Sequence, residues 1–411
     1  MKSILTGDYT EVSSRSRVMQ RKLAIIQAAS QNDKGISLAE VCYQLKVSPP
    51  TGIKLMNELL DEGFMRVFGK KDTSNGRKPL IYGLNNTNFF SLVVEISMKR
   101  VSVGVIDAFL NIVKYRQKTD FFLENTPGCL GIVEKYLEES IREFKLNKDL
   151  ILGMGVGITG RVNFDIGQTF TFFNFLEIPF AKYFSEIFSM PVFVNNDTRC
   201  IGIAEKTKGK AQKVSDAVVI NLSRGLGTCF IINNSVINGA FGFAGELGHV
   251  QFEKNDKMCI CGKTGCLGTE VGGNTLEEDF LERLRNGEKT LIDIPQGSVT
   301  IRYDSILQAA IQGDQLSIKL IQNMGHKLGI ALGNIINLLN PELFVIAGKF
   351  SKVGHIIIDA VKYGITQSAL PASFRLSSIE ISELGDKAVL KGAGVMVFEH
   401  FKLMKNQVEK N

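Results

Sequence analysis

The feature that most restricts the fold is a pattern of alternating segments that runs through the chain twice. Phe89 to Ile96, Val101 to Asp107 and Ile112 to Arg116 read as three consecutive strands, followed by a helix over Leu130 to Phe144 and a buried strand from Ile151 to Val156. A second group then opens with strands at Asp216 to Asn221, Cys229 to Ile232 and Ser235 to Ile237. Helices at Leu276 to Arg285 and Ser317 to Leu339 follow, and then a strand at Leu343 to Ala347. Two successive strand-rich α/β units predict a duplicated fold with a cleft between lobes. No short-period repeat is present, and no low-complexity tract separates the units. With 411 residues, 44% hydrophobic and 22% charged, the chain has room for two or three globular domains; disordered and fibrous classes are excluded.

One local motif invites a wrong turn. Gly155-Val156-Gly157-Ile158-Thr159-Gly160 matches the dinucleotide-binding spacing after a strand. That chemistry needs a helix to open at once, so that its N-terminus faces the pyrophosphate. Arg161 to Phe175 instead carries Gly167, aromatic residues and threonines with no helical stripe, so a dinucleotide site is rejected. A phosphate loop of the Walker type is rejected too, because Lys257 stands where Gly262-Lys263-Thr264 would require a preceding glycine.

The stretch before the first unit has a different character. Residues 1–85 hold 13 Lys/Arg against 8 Asp/Glu, a balance of +5 out of the chain's +6. A basic head on a nearly neutral body predicts a polyanion-binding module. Arg17 to Ala29 is an amphipathic helix with Val18, Ile25 and Ala29 on its apolar positions. Ser37 and Glu40 form a capping box for a short helix from Leu38 to Leu45, and Lys46-Val47 makes a turn. Ser48 caps a third helix that begins Pro49-Pro50 and runs to about Glu62. Strands at Phe64 to Phe68 and Leu80 to Leu84 flank a polar tip, Gly69 to Gly76. Three helices and a basic hairpin predict a winged helix-turn-helix over residues 1–86. Thr51 and Lys54 then lie at the leading end of the helix that enters the major groove, and Lys70, Lys71, Arg77 and Lys78 on a wing against the sugar-phosphate backbone.

The most specific signal lies in the second unit. Ala244-Gly245-Glu246-Leu247-Gly248-His249 precedes Cys259, Cys261 and Cys266, giving H-x9-C-x-C-x4-C. One imidazole and three thiolates suit tetrahedral zinc, and four protein ligands make that zinc structural rather than hydrolytic. Seven cysteines, three of them crowded here, predict a metal site in a reducing compartment and not a disulfide framework. The window Leu328 to Leu339 is broken by Asn334 and Asn337, and Met1 to Thr10 lacks a signal pattern. No membrane span is expected, and the predicted location is cytoplasmic.

At these residues the sequence resembles the ROK family (repressors, open reading frames and sugar kinases) over essentially the whole chain. Ala244 to His249, the loop from Cys259 to Cys266, Asn196-Asp197 with Ala204-Glu205, and Asn340-Pro341-Glu342 before a strand and Gly348 carry the likeness. With the winged head it is similar to the repressor branch, which includes the N-acetylglucosamine and xylose repressors. The resemblance implies a two-lobed actin-like ATPase body of ribonuclease-H-like units. The first lobe would span 87–200, completed by a C-terminal helix in 388–411, and the second, with the zinc loop, 201–387. It further implies that Asn196 and Asp197 bind a sugar, the aspartate being the vestige of a kinase's general base. Glu246 and His249 would contact sugar hydroxyls, His249 keeping one ring nitrogen on zinc, while Gly160, Arg161 and Asn174 line the same cleft.

Departures from the family pattern decide the activity. The kinases' Asp-Ile-Gly-Gly-Thr is here Glu95-Ile96-Ser97-Met98-Lys99, whose side chains obstruct approach of phosphate to the backbone. Their second phosphate loop becomes Ser223-Arg224-Gly225. Gly268 stands where a sugar-binding glutamate is usual, and Glu270 replaces it if the loop shifts. The expectation is a sugar-responsive regulator, a repressor, that binds a palindromic operator as a homodimer or homotetramer and answers to a sugar or sugar phosphate. The alternative is an active hexokinase-type enzyme carrying a DNA-binding head.

Overall fold

The computed structural model describes residues 14–30, 32, 34–70, 79–85, 87–252, 256–293, 300–401 and 403. The head holds α1 (Ser14–Ser30), β1 (Ile36–Ser37), α2 (Leu38–Leu45), α3 (Pro49–Asp61), β2 (Met65–Lys70) and β3 (Leu80–Leu84). Its three strands are ordered β1-β3-β2. The capping box forms: the Glu40 amide donates to Ser37 Oγ, and the Ser37 amide donates to the Glu40 carboxylate at 2.7 Å. Lys46, in the left-handed region at φ +49°, closes α2.

Two details depart from expectation. Ser48 has the extended backbone of a cap but makes no capping bond; its hydroxyl pairs with the Thr51 hydroxyl at 3.0 Å. A cap bonds the second or third helical N–H. Here the second position is Pro50, which has none, and the serine takes the nearer hydroxyl. Val18 is 37% exposed, because packing of α1 begins only at Lys22. Below that point Ile25, Ile26 and Ala29 are buried, as are Val41, Leu55, Met56, Leu59 and Phe64 elsewhere in the head.

After the head come β4 (Phe90–Ser97), β5 (Arg100–Asp107), β6 (Ile112–Lys118), α4 (Pro127–Glu143), β7 (Ile151–Ile158), the ribbon β8 (Val162–Asn163) and β9 (Gln168–Thr169), α5 (Phe180–Phe188), β10 (Val192–Asn196) and α6 (Asp197–Lys208). A second series follows: β11 (Ala217–Leu222), β12 (Leu226–Ile232), β13 (Ser235–Val236), α7 (Gly273–Arg285), α8 (Tyr303–Ile311), α9 (Gln315–Leu339), β14 (Leu343–Ala347), α10 (His355–Ser368), β15 (Ser378–Ile381) and α11 (Ala388–His400). The two five-stranded sheets are β10-β7-β4-β5-β6 and β13-β12-β11-β14-β15. In each, the first three strands form an antiparallel meander and the last two add in parallel on its other side. The same topology built twice is the duplication foreseen in the sequence.

Residue contacts divide the chain into two units, one running to Asp197 and including the stretch from Leu390, the other spanning Thr198 to Val389. Within the first, the glycines that imitate a dinucleotide motif have a packing role. A Cβ on Gly155 would lie 2.0 Å from the Ala393 carbonyl oxygen, and one on Gly153 would press the Pro191 carbonyl oxygen at 2.8 Å. The bare strand surface lets α11 sit against the backbone of the sheet. The core of this unit gathers Leu92, Val94, Val103, Leu130, Leu137, Met154 and Val156 with a stack of Phe173, Phe180 and Phe184. The second unit packs α9 and its neighbours on Val218, Ile220, Phe344 and Ile346 of its sheet.

Candidate functional site

The polar residues expected at a sugar fall in both units. In the first, β7 and β10 run parallel with Ile158 opposite Asn196, so their C-terminal ends lie side by side. Asn196 Nδ2 donates to the Gly160 carbonyl at 2.8 Å. Gly160 has φ +96°, and a Cβ there would strike Thr171 at 2.7 Å. The Arg161 amide donates to Thr171 Oγ1 at 2.9 Å, and the arginine is exposed. Asp197 opens α6, where the positive end of the helix favours its carboxylate. Asn174 is spent locally: its Oδ1 accepts from Asn125 Nδ2 at 2.6 Å, and its Nδ2 donates to the Phe170 carbonyl at 3.3 Å. Gly160, Arg161 and Asn196 are thus joined, while Asn174 staples the loop that follows them.

In the second unit a short turn, Leu247–His249, carries the other candidates. His249 uses its two nitrogens in different directions. Nδ1 lies 3.4 Å from Cys259 Sγ, and Nε2 lies 3.8 Å from the Glu246 carboxylate. Cys261 Sγ and Cys266 Sγ are 3.7 Å apart, and one donor atom from each of His249, Cys259, Cys261 and Cys266 lies within 4.8 Å of all the others. The loop is pinned by the Cys259 amide on the Lys263 carbonyl at 2.8 Å and the Leu267 amide on the Val250 carbonyl at 2.9 Å. Burial and the neighbouring thiols push the Cys266 thiol up to about 11, whereas the Lys263 backbone N–H lowers that of Cys261. This cluster can hold a metal ion, which would displace those protons.

Gly268 sits where its Cβ would be 3.0 Å from the Gly248 carbonyl oxygen, directly beneath the turn that bears His249. Glu270 is not redirected to replace the missing glutamate. It is buried and ion-paired with Lys327.

The residues that stand in for the kinase phosphate loops are engaged with their own surroundings. Met98 and Lys99 form the turn between β4 and β5. Glu95 is buried and its carboxylate takes the Arg100 guanidinium from across the hairpin. Ser97 Oγ donates to the Arg100 carbonyl at 3.2 Å, and the Leu123 amide donates to the Met98 carbonyl at 3.0 Å. In the other unit Ser223 Oγ donates to Asn221 Oδ1 and accepts from the Lys349 amide, each at 3.1 Å. The amides of Gly273 and Asn274 bond the carbonyls of Ser223 and Arg224 at 2.7 and 3.0 Å. Sequence reasoning had noted Ser97 and Met98 but missed Arg100. A cation five residues past a buried acid, across a two-residue turn, was the available signal.

On the head, the outward face of α3 carries Pro50, Ile53, Lys54, Asn57 and Asp61, all exposed, while Gly52, Leu55, Met56 and Leu59 face the core. Thr51 lies half-buried on the flank, tied to Ser48. Lys70 is exposed at the end of β2; Lys71, Arg77 and Lys78 lie outside the described residues. Arg66, also exposed on β2, stacks its guanidinium over Phe68 at 5.1 Å and had not been singled out. Lys22 is no surface cation at all. It is 3% exposed and pairs with Glu58 of α3 and with Glu62, just past the end of that helix, each at 2.7 Å.

Two sheets of identical strand order, preceded by a winged helical head, give the molecule an actin-like ATPase fold with an added winged-helix module. The chain belongs to the ROK family, whose model matches residues 92–400. It is 26% identical to a xylose repressor of Caldicellulosiruptor bescii, over 92% of this chain and 94% of that one. It is 24% identical to the DNA-binding transcriptional dual regulator NagC of Escherichia coli, over 95% of each. Among solved structures it is similar to a ROK family transcriptional regulator that is a homologue of E. coli MLC protein, with TM-score 0.77, 23% identity and coverage of 94% and 98%. A ROK glucokinase from Streptomyces griseus matches 75% of this chain and 98% of its own at TM-score 0.64 and 22% identity. No helix among the described residues is long and apolar enough to cross a membrane.

Proposed function

We propose that this chain is a sugar-responsive transcriptional regulator of carbohydrate-utilisation genes, a repressor. It binds a palindromic operator through paired winged heads and releases it when a free or phosphorylated sugar occupies the body. One observation carries the choice of sensor over kinase: Arg100 neutralises the buried Glu95 where a kinase has the start of a glycine turn, so the phosphate side is filled by an internal ion pair. The sugar side keeps its polar set, Gly160, Arg161, Asn196, Asp197, Glu246 and His249. Asn174 joins as a loop staple.

The ion in the cysteine loop is zinc, in a structural role. A tetrahedral ion with metal–sulfur bonds of about 2.3 Å and a metal–nitrogen bond of about 2.0 Å has sulfur–sulfur edges of about 3.8 Å and sulfur–nitrogen edges of about 3.5 Å. The 3.7 and 3.4 Å separations fit that frame. Zinc would be held by His249 Nδ1, Cys259, Cys261 and Cys266, leaving Nε2 to act with Glu246 on a sugar hydroxyl. Thr51, Lys54 and Lys70, with Lys71, Arg77 and Lys78, meet the DNA in the cytoplasm. One head covers one half-site, so specificity requires a homodimer or a homotetramer.

The test is a gel shift with the chain's own promoter region, run against a panel of free and phosphorylated sugars, beside an ADP-release assay on the same panel. Specific binding released by one sugar, without ADP release, is expected. Absence of specific binding rejects the regulator, and turnover with any sugar restores the kinase reading that Asp197 at the start of α6 would serve.

A further inference from the structure

The outward face of α3 is unusual for a DNA-reading helix, and its chemistry narrows what it can read. Of its exposed residues only Lys54 is cationic, Pro50 and Ile53 are apolar, Asn57 is an amide and Asp61 is acidic. Ile53 is 46% exposed. The first helical turn is also poor in donors. Positions one and two are Pro49 and Pro50, and the Gly52 amide is already bonded to the Ser48 carbonyl at 3.0 Å, so only the Thr51 amide remains. Helix N-termini commonly hold phosphate through such N–H groups; this one offers a greasy surface instead. Asp61, at the opposite end, would be repelled by a phosphate, so the leading end is the one that enters the groove.

In the major groove, apolar side chains contact the thymine methyl, and asparagine bonds adenine N6 and N7 in bidentate fashion. Guanine is read by arginine or lysine, of which this face has one. Resting on the DNA-binding reading above, we infer that each operator half-site is specified chiefly by A·T pairs, with thymine methyls against Pro50 and Ile53 and an adenine against Asn57. Pro50, Ile53 and Asn57 are then specificity-determining residues, and Lys54 supplies the one cationic contact of this helix face, to a guanine or a phosphate.

The experiment is selection of full-length protein on randomised duplexes, followed by affinity measurements on the enriched site. Half-sites with adjacent A·T pairs are expected. Asn57→Ala should lose discrimination at one A·T pair by about five- to 150-fold. Replacing the contacted thymine by deoxyuridine removes only the methyl group and should weaken binding about fourfold in the parent chain. Ile53→Ala should bind the two duplexes equally. Both positions are exposed, so the variants fold, and retained affinity for non-specific DNA verifies it. An enriched site fixed by G·C pairs, or variants with unchanged base preference, would overturn this assignment while leaving the regulator intact. No enrichment of any sequence would overturn both.

Discussion

Lys22→Met is the perturbation that most directly tests how the reading helix is held. The lysine is enclosed between Glu58 and Glu62, its side chain 4% exposed and theirs 34% and 35%. Removing one partner of a fully buried ion pair costs about 3–5 kcal/mol, and an exposed pair is worth at most about 1. With both carboxylates a third open to water, solvent takes up part of the loss, and about 2 kcal/mol is expected. Methionine keeps most of the volume, so the loss is one of charge. Hydrogen exchange read by mass spectrometry over residues 49–61 should then quicken by about 30-fold relative to the body. Operator affinity should fall in parallel. Adding Glu58→Gln and Glu62→Gln removes the stranded charges and should restore most of the protection. The pH dependence has a definite sign. Burial pulls the Lys22 pKa down, but the hydrogen bonds and charges of the two glutamates outweigh it and hold it above the ordinary 10.5. The pair's contribution is therefore complete below about pH 10.5 and is lost as the pH rises past the raised value. Unchanged exchange in Lys22→Met, or no rescue by the glutamines, would refute the reasoning.

Cys261→Ser should reduce metal content from about one ion per chain, measured by elemental analysis of the purified protein, and weaken sugar-induced thermal stabilisation; full metal content would contradict the ligand set. Asn196→Ala deletes the bond to the Gly160 carbonyl and should leave operator binding intact while abolishing release by sugar in a gel-shift titration. Normal release would remove Asn196 from the effector site.

Local signals were legible wherever cause and effect lie a few residues apart. Ser37 and Glu40 announce their capping box, and the spacing of His249 and three cysteines brings four donors together. Phe180, Phe184 and Phe188, at intervals of four, marked α5 and were overlooked. Partners far apart in sequence were not legible. Lys22 counted toward the basic head, yet its charge is cancelled by residues 36 and 40 positions away. Gly155 resembled a nucleotide loop because nothing nearby shows that Ala393 needs the space. The outward face of α3 is accessible to a helical projection of residues 49–61, but which side the core covers depends on Lys22 and α1, far away in sequence.

Because α11 seats on the sheet through Gly155, a segment synthesised late finishes a layer whose first strand emerged about 300 residues earlier. At elongation rates of about 5–20 residues per second, that delay is roughly 15–60 s. For that interval the nascent sheet lacks its cover, a natural opening for a chaperone. The head has no such wait, because its packing, down to the stacking of Phe64 on Phe89, is complete within the first 89 residues.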